Sequence, residues 1–411
     1  MPRYHPISGH MVAMKQSARL LPRKTTVHVI ISQILKQFPT GIFYLNLWPF
    51  SRTILVVTNP FAAFQLLEAL AKKREMFQLE EHTLRLTFDV ITWVTLDARL
   101  HCQTQGNRFV ECLRRQNNWT PYSAALNPFR ILSPWPLVQK YNNYHMDKYL
   151  DNEIDKRFQE LYVCRKGDSA EPQAWSRSAI SLAMDQYLEG EGNDNRGELS
   201  KRSFKELVKP QPRMFLYAGR DTTSSTLMYC YHLLSRHPLE MAKVRAEHDK
   251  VCGTDNISPE SCRKSIAADP TLLNRIPYTV AVIKEVLRIF PAAGSSREGR
   301  SDLVLTDEEG YRYYPTEGCN NFTLNLAMHH NAKNLIDPAK IIPGRWLVGP
   351  QDPLHLKKRG SWRAFEWGTR NCIGQTLAQL ELKVALVMTA RVFDITPSYD
   401  EWDKLHPSKG I

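Results

Sequence analysis

The spacing of apolar positions predicts helices along most of the chain. Apolar residues recur three and four apart over Leu66–Met76, Leu84–Leu96, Asn142–Tyr162, Met214–Ser235, Tyr278–Ile289 and Ile373–Phe393, the period of a helix with one buried face. Ile42–Val57 reads differently: two β-rich runs flank Pro49-Phe50-Ser51-Arg52 and predict a hairpin. His237-Pro238 and Phe290-Pro291 mark helix ends, because the residue before a proline avoids the helical region. Between Cys164 and Glu198 the composition turns polar, and a surface loop is expected there. The pattern is that of a mainly α protein with a small β part.

Composition narrows the class. With 411 residues, 43% hydrophobic and 23% charged, the chain suits a folded globular protein and excludes disordered and collagenous ones. Lys and Arg exceed Asp and Glu by 54 − 42 = 12, yet the basic residues are dispersed, which fits a solvated surface better than a nucleic-acid footprint. Eight cysteines (Cys102, Cys112, Cys164, Cys230, Cys252, Cys262, Cys319 and Cys372) lie far apart with no C-x-x-C pair. Neither a disulfide framework nor a zinc ribbon is indicated, and a reducing compartment fits. The longest apolar stretches, Val27–Leu35 and Ile54–Leu70, are interrupted by His28, Gln33, Asn59 and Pro60 and fall short of the roughly 20 residues of a membrane span. No signal-peptide pattern opens the chain, so a soluble or peripheral protein is expected.

The most informative segment runs from Phe365 through Gly368, Arg370 and Cys372 to Gly374 and then into the amphipathic run headed by Ile373. It sets a lone cysteine near a helix start, where free N–H groups and the positive dipole end favour a thiolate, a nucleophile or metal ligand. Gly368 and Gly374 remove side chains on either side of the sulfur, as a flat, bulky cofactor against the loop requires. Arg370 is placed to reach an anionic group at that cofactor's edge. A second unusual segment, Ala218-Gly219-Arg220-Asp221-Thr222-Thr223, interrupts an apolar helical run with poor helix formers. Local conflict of this kind is expected at functional sites: Gly219 would let a ligand approach the backbone, while Asp221 and Thr222 can pass protons. Glu285 and Arg288 share one helix face at i,i+3, which alone is a weak signal.

The pattern F-x-x-G-x-R-x-C-x-G resembles the haem-binding loop of the cytochrome P-450 family, where a cysteine thiolate holds the haem iron. The resemblance implies Cys372 as the axial ligand, Arg370 paired with a haem propionate and Phe365 packed beside the sulfur. Ala218–Thr223 resembles the family's oxygen-binding segment, in which Asp221 and Thr222 would deliver protons to iron-bound dioxygen. Pro343-Gly344-Arg345-Trp346 follows at the distance where the family supplies a second arginine, which implies a Glu285–Arg288–Arg345 network bracing the cysteine loop. Arg297 resembles the arginine that contacts a second propionate. Two positions depart from the pattern: Arg220 replaces a histidine, and Gly344 a glutamate.

The implied architecture is a single cytochrome P-450-like domain over 1–411: a hairpin region to residue 76, middle helices over 77–197, and the oxygen helix, Glu/Arg helix and cysteine loop over 198–411. Around Ala63–Met76 the Trp-x-x-x-Arg helix that covers the propionates is missing, the one match, Trp48 to Arg52, lying on the expected hairpin. The anchor of microsomal relatives is missing too. By resemblance the chain is a haem-thiolate monooxygenase close to fungal members that oxidise lipids or secondary metabolites. It would carry haem b (iron protoporphyrin IX), use dioxygen and electrons from an NADPH-dependent cytochrome P-450 reductase docked near Lys357–Arg359, and bind no nucleic acid. It would act as a monomer at the cytoplasmic side of the endoplasmic reticulum, peripheral or soluble without the anchor. Two alternatives stand beside this: a non-catalytic remnant that binds haem poorly, and a dioxygen-independent haem-thiolate isomerase or dehydratase, against which Asp221-Thr222 argues.

Overall fold

In the computed structural model of the chain, the described residues are 76–98, 100, 102, 107–119, 134–166, 178–190, 197–255, 257–307, 310–356 and 360–405, with the strands 42–45 and 54–57. The expected helix over 66–76, the Trp48–Arg52 match and the basic patch at Lys357–Arg359 therefore lie outside them or at their edge. The expected hairpin is present: β1 (Ile42–Leu45) pairs antiparallel with β2 (Ile54–Val57) in the register Ile42 to Val57. The chain divides into two compact units, one of Met1–Phe77 and Leu84–Arg220, the other of Gln78–Thr83 and Asp221–Ile411.

In the first unit lie most of α1 (Leu79–Leu96), α2 (Arg108–Trp119), α3 (Trp135–Lys166), α4 (Ala179–Gly190), α5 (Gly197–Val208) and the first part of α6 (Pro210–Arg236). Its core is built from Phe88, Leu96, Phe109, Met146, Leu150, Ile154, Met184, Phe204 and Leu216. Phe204 takes the edge of Phe158 at 5.3 Å and lies 5.2 Å from Tyr187, which draws α3, α4 and α5 together. Lys205–Asp155 (2.6 Å) and Lys209–Asp151 (2.8 Å) flank that contact. Helix α4 is a correction to the polar loop expected over Cys164–Glu198: the polar runs only bracket Ile180, Ser181 and Met184, which are buried.

The Gly219 segment is also corrected. α6 stays helical from Pro210 to Arg236, with no break at the poor helix formers. A Cβ on Gly219 would sit 3.0 Å from Ile91 Cδ1, so the glycine admits a neighbouring helix, α1. Arg220, whose residue type departs from the family pattern, is buried with its guanidinium 4.9 Å from the Phe88 ring centroid, and its carbonyl accepts a 3.1 Å bond from Thr87 Oγ1.

The second unit holds the rest of α6, α7 (Pro238–Cys252), α8 (Pro259–Ala268), α9 (Pro277–Ile289), four strands, α10 (Asn325–His329), α11 (Gln375–Thr389) and α12 (Tyr399–Leu405). α9 buries Val282, Ile283, Val286 and Leu287. It has no cap of its own: the Glu247 carboxylate of α7 accepts from the Tyr278 and Thr279 amides at 2.7 and 2.8 Å, satisfying N–H groups that a helix start leaves open. β3 (Ser295–Glu298) pairs antiparallel with β6 (Asn320–Thr323), and β4 (Val304–Thr306) with β5 (Tyr313–Pro315) between them in sequence. The fold is mainly α with a small β part, and no described helix is long and apolar enough to cross a membrane.

Replacing Gly219 with Leu forces methylenes against Ile91 and is expected to lower stability by about 1–3 kcal/mol. Denaturant unfolding measures this, and adding Ile91→Ala to the same chain should recover part of the loss.

Candidate functional site

The geometry starts from one carboxylate. Glu285, on α9, is buried with both oxygens in use. Oε1 accepts from Arg288 Nη2 (2.9 Å), Arg345 Nε (3.2 Å) and the Ile342 amide (2.9 Å). Oε2 accepts from Arg288 Nε (3.0 Å) and Trp346 Nε1 (3.0 Å). Helical spacing delivers Arg288, while a 3₁₀ turn over Pro343–Trp346 delivers Arg345 and Trp346. The remaining guanidinium hydrogens go to carbonyls: Arg288 donates to His329, Pro338 and Lys340, and Arg345 to Ile336 and Asp337. Burial lowers the Arg345 pKa, against the pull of the Glu285 charge. Gly344 leaves open space where a side chain would stand, so the departure from the family's glutamate removes no packing.

A residue that sequence reasoning missed links this network to the cysteine loop. His329 Nδ1–H donates to the Arg288 carbonyl (3.1 Å), and its Nε2 accepts from the Arg363 amide (2.8 Å), two residues before Phe365. Burial holds His329 neutral by pushing its pKa down to about 4. Asn325 adds a second tie, its Nδ2 donating to the carbonyls of Ala293 and Arg363 at 3.1 Å each. Nothing in the periodicity separates His329 from its half-buried neighbour His330; only the tertiary bonds do.

Within the loop, the Cys372 amide donates to the Phe365 carbonyl at 2.8 Å, closing the ring of residues whose sulfur is exposed. Glu366 and Gly368 hold positive φ (63° and 81°), Glu366 with its carboxylate paired to Arg363 at 2.6 Å. Gly368–Arg370 forms a 3₁₀ turn that leaves Arg370 exposed. α11 begins at Gln375, so Ile373, expected on the buried stripe, sits ahead of the helix and is 87% exposed. Phe365 is half-buried, its ring centroid 6.2 Å from that of Trp362. Arg297 lies on β3, exposed, with Nη1 on the Ser296 carbonyl. Asp221 and Thr222 are half-buried on α6, and the Thr222 carbonyl takes the hydroxyls of Ser225 (3.0 Å) and Thr226 (2.7 Å). That back-bonding satisfies the two hydroxyls within the helix.

A sequence model of the family described as Cytochrome P450 (P-450) matches residues 57–411. The chain belongs to the cytochrome P-450 family. It is 27% identical to cytochrome P-450 monooxygenase polC of Polytolypa hystricis, the match covering 98% of this chain and 82% of that one. It is 30% identical to cytochrome P-450 monooxygenase acrF of Aspergillus aculeatus over 84% of this chain and 68% of that one. A crystallised cytochrome P-450, CYP102L1, superposes with a TM-score of 0.62 at 19% identity, over 82% of this chain and 70% of the other, and shows the fold.

Family membership implies a haem iron, and the residues here fit one. The donor set is a single soft sulfur with a guanidinium two residues away, which matches a thiolate-ligated iron inside an anionic macrocycle. A Cβ on Gly374 would meet nothing except the Cys372 sulfur, at 3.8 Å, so the glycine keeps clear the space beside that sulfur. Exposed Ile373 and half-exposed Trp367 supply apolar surface at the same loop.

Removing the Glu285 carboxylate leaves two buried guanidiniums without their anion, a class of change that costs roughly 3–5 kcal/mol. Glu285→Ala should therefore fail to reach wild-type stability in urea, while Trp346→Phe, which deletes one bond to a charged group, should cost about 1.5–3 kcal/mol. The neutral histidines set an acid limit. His329 and His248 are both pushed down to about 4 by burial, so below the unfolded value near 6.5 the unfolded chain binds the extra protons. Stability falls as pH drops from about 6.5 towards 4, by up to about 1.4 kcal/mol per pH unit for each histidine. Urea titrations across that range should show a shallower slope in His329→Gln.

Proposed function

We propose that the chain is a haem-thiolate monooxygenase that inserts one atom of dioxygen into an apolar small molecule, a lipid or secondary metabolite. The observation that carries the reading is the cysteine loop: an exposed sulfur at the foot of α11, its amide tied back to Phe365 and the space beside it kept clear by Gly374. When bound, haem b supplies dioxygen activation and one-electron chemistry. The Cys372 thiolate would hold the iron. Phe365 shields the sulfur from water on its protein side. Arg370 and Arg297, both exposed and positively charged, pair with the two propionates.

Asp221 and Thr222 move protons. They lie in adjacent positions on the continuous helix α6. The Glu285–Arg288–Arg345 network positions the loop through His329 and Arg363, and it touches neither substrate nor reacting atoms. The monooxygenase names of the fungal relatives support this reading. Electrons come from an NADPH-dependent reductase. By family analogy the site of action is the cytoplasmic face of the endoplasmic reticulum.

The test is the carbon monoxide difference spectrum of the reduced, haem-supplemented protein. A red-shifted Soret band that is lost in Cys372→Ala is expected. Absence of the band, or a band indifferent to Cys372, overturns the reading. Thr222→Ala should then keep the band while product formation per electron consumed falls by a factor of roughly 10²–10⁴, the contribution typical of a positioned proton donor.

A further inference from the structure

A second thiol site lies apart from the cysteine loop. Cys252 is the last residue of α7, and Cys262 sits in the second turn of α8. The two side chains belong to one buried cluster. Cys262 is fully buried and Cys252 keeps 9% exposure. Leu273, Ile276 and Val387 pack around them, with Val384 and Met388 of α11 against the same cluster.

Buried cysteines usually serve as small hydrophobes. A cation changes that here. Arg391, its side chain 1% exposed, donates from Nη1 to Cys262 Sγ at 3.2 Å. It is clamped by Asp249 Oδ1 on Nε (2.8 Å) and by the Gly253 carbonyl on Nη2 (2.6 Å). Hydrogen bonding from Cys252 and from Arg391, with the Arg391 charge, outweighs burial and pulls the Cys262 thiol down to about 6, against an opposing push from Asp249. The bond to Cys262 and burial hold the proton on Cys252. The guanidinium sits on the Cys262 sulfur and favours its thiolate, and Cys252 packs in the same buried cluster. The remaining buried thiols described, Cys102, Cys112 and Cys230, are all pushed up, chiefly by burial.

We propose that Cys252 and Cys262 form a redox site, a dithiol that closes to a disulfide on reaction with a small peroxide, Cys262 attacking and Cys252 resolving. In the first step the Cys262 sulfur bonds to one peroxide oxygen and the O–O bond breaks. The sulfur becomes a sulfenic acid, and the other oxygen leaves as hydroxide, which takes up the proton that the Cys262 thiol had released and becomes water. In the second step the Cys252 sulfur attacks the Cys262 sulfur, the S–O bond breaks, and hydroxide departs with the Cys252 proton as a second water. Two thiols give up two electrons and two protons, and one peroxide becomes two waters. A thiolate of intermediate basicity beside a resolving thiol is the arrangement this chemistry requires. The inference stands independently of the haem reading, since none of its residues belongs to the cysteine loop.

The experiment treats the reduced protein, as purified, with a few equivalents of hydrogen peroxide, blocks free thiols under denaturing conditions and maps peptides by mass. A linkage joining the Cys252 and Cys262 peptides, two hydrogens lighter than the dithiol and reversed by a reductant, is expected before Cys112 or Cys230 is modified. Cys252→Ser should stop the reaction at a sulfenic acid on Cys262 that dimedone captures. Arg391→Gln should slow linkage roughly tenfold by weakening the thiolate, and Arg391→Lys, which keeps the cation, should slow it less. The exposed Cys319 serves as the internal standard in each variant. The proposal is overturned if the wild-type pair stays fully alkylatable at peroxide doses that oxidise Cys319, or if Arg391→Gln links as fast as the wild type.

Discussion

Everything that holds the cysteine loop depends on burying the Glu285 carboxylate with two guanidiniums. Taking three charges from water is costly, and their attraction repays it only where every donor and acceptor is used. Here five donors converge on one carboxylate, and the spare arginine hydrogens reach five backbone carbonyls between His329 and Lys340. Four of those carbonyls belong to irregular chain with no ladder of its own to satisfy it, and the fifth, of His329, ends α10. The network therefore does for residues 329–346 what hydrogen-bonded neighbours do for a strand. It turns a segment with little regular structure into a fixed ledge.

From that ledge the constraint passes along the chain by single bonds. His329 accepts the Arg363 amide and donates to Arg288, so the entry to the cysteine loop is fastened to the helix that carries Glu285. Only a neutral imidazole donates on one side and accepts on the other, which is why burial of this histidine matters as much as its position. Phe365 then receives the Cys372 amide. The sulfur stays exposed while the backbone around it is held on both sides, the combination a metal ligand requires: accessible to the ion and unable to wander.

Much of this was legible in the sequence, for a definable reason. Cys372, Arg370, Gly368, Gly374 and Phe365 lie within ten residues, so their spacing is local and survives without knowledge of the fold. Glu285 and Arg288 are one helical turn apart, and only the match to Pro343–Trp346 gave that pair meaning. What escaped was non-local. His329 and Asn325 act through bonds to residues more than thirty positions away, and no period marks them. Helix α4 hid inside polar flanks because a twelve-residue helix between two polar runs is short. Gly219 is ambiguous for a different cause: a missing side chain is equally suited to a ligand and to a neighbouring helix, and the sequence does not show Ile91 beside it.

The cysteines carry the same lesson into chemistry. Residue type is constant, and environment decides what each sulfur can do. Cys230, enclosed by apolar side chains, has its thiol pushed up to about 12 and is inert. Cys262, equally buried, faces a guanidinium and a second thiol, so burial there raises the strength of a specific attraction and no longer simply suppresses charge. Cys372 is exposed, and its surroundings are set by glycines that keep matter away from it. An apolar wall, a buried cation and an open cradle make three different reagents from one side chain. Of the three, only the open cradle leaves a trace that can be read along the chain, because glycines are visible in a sequence and a distant arginine is not.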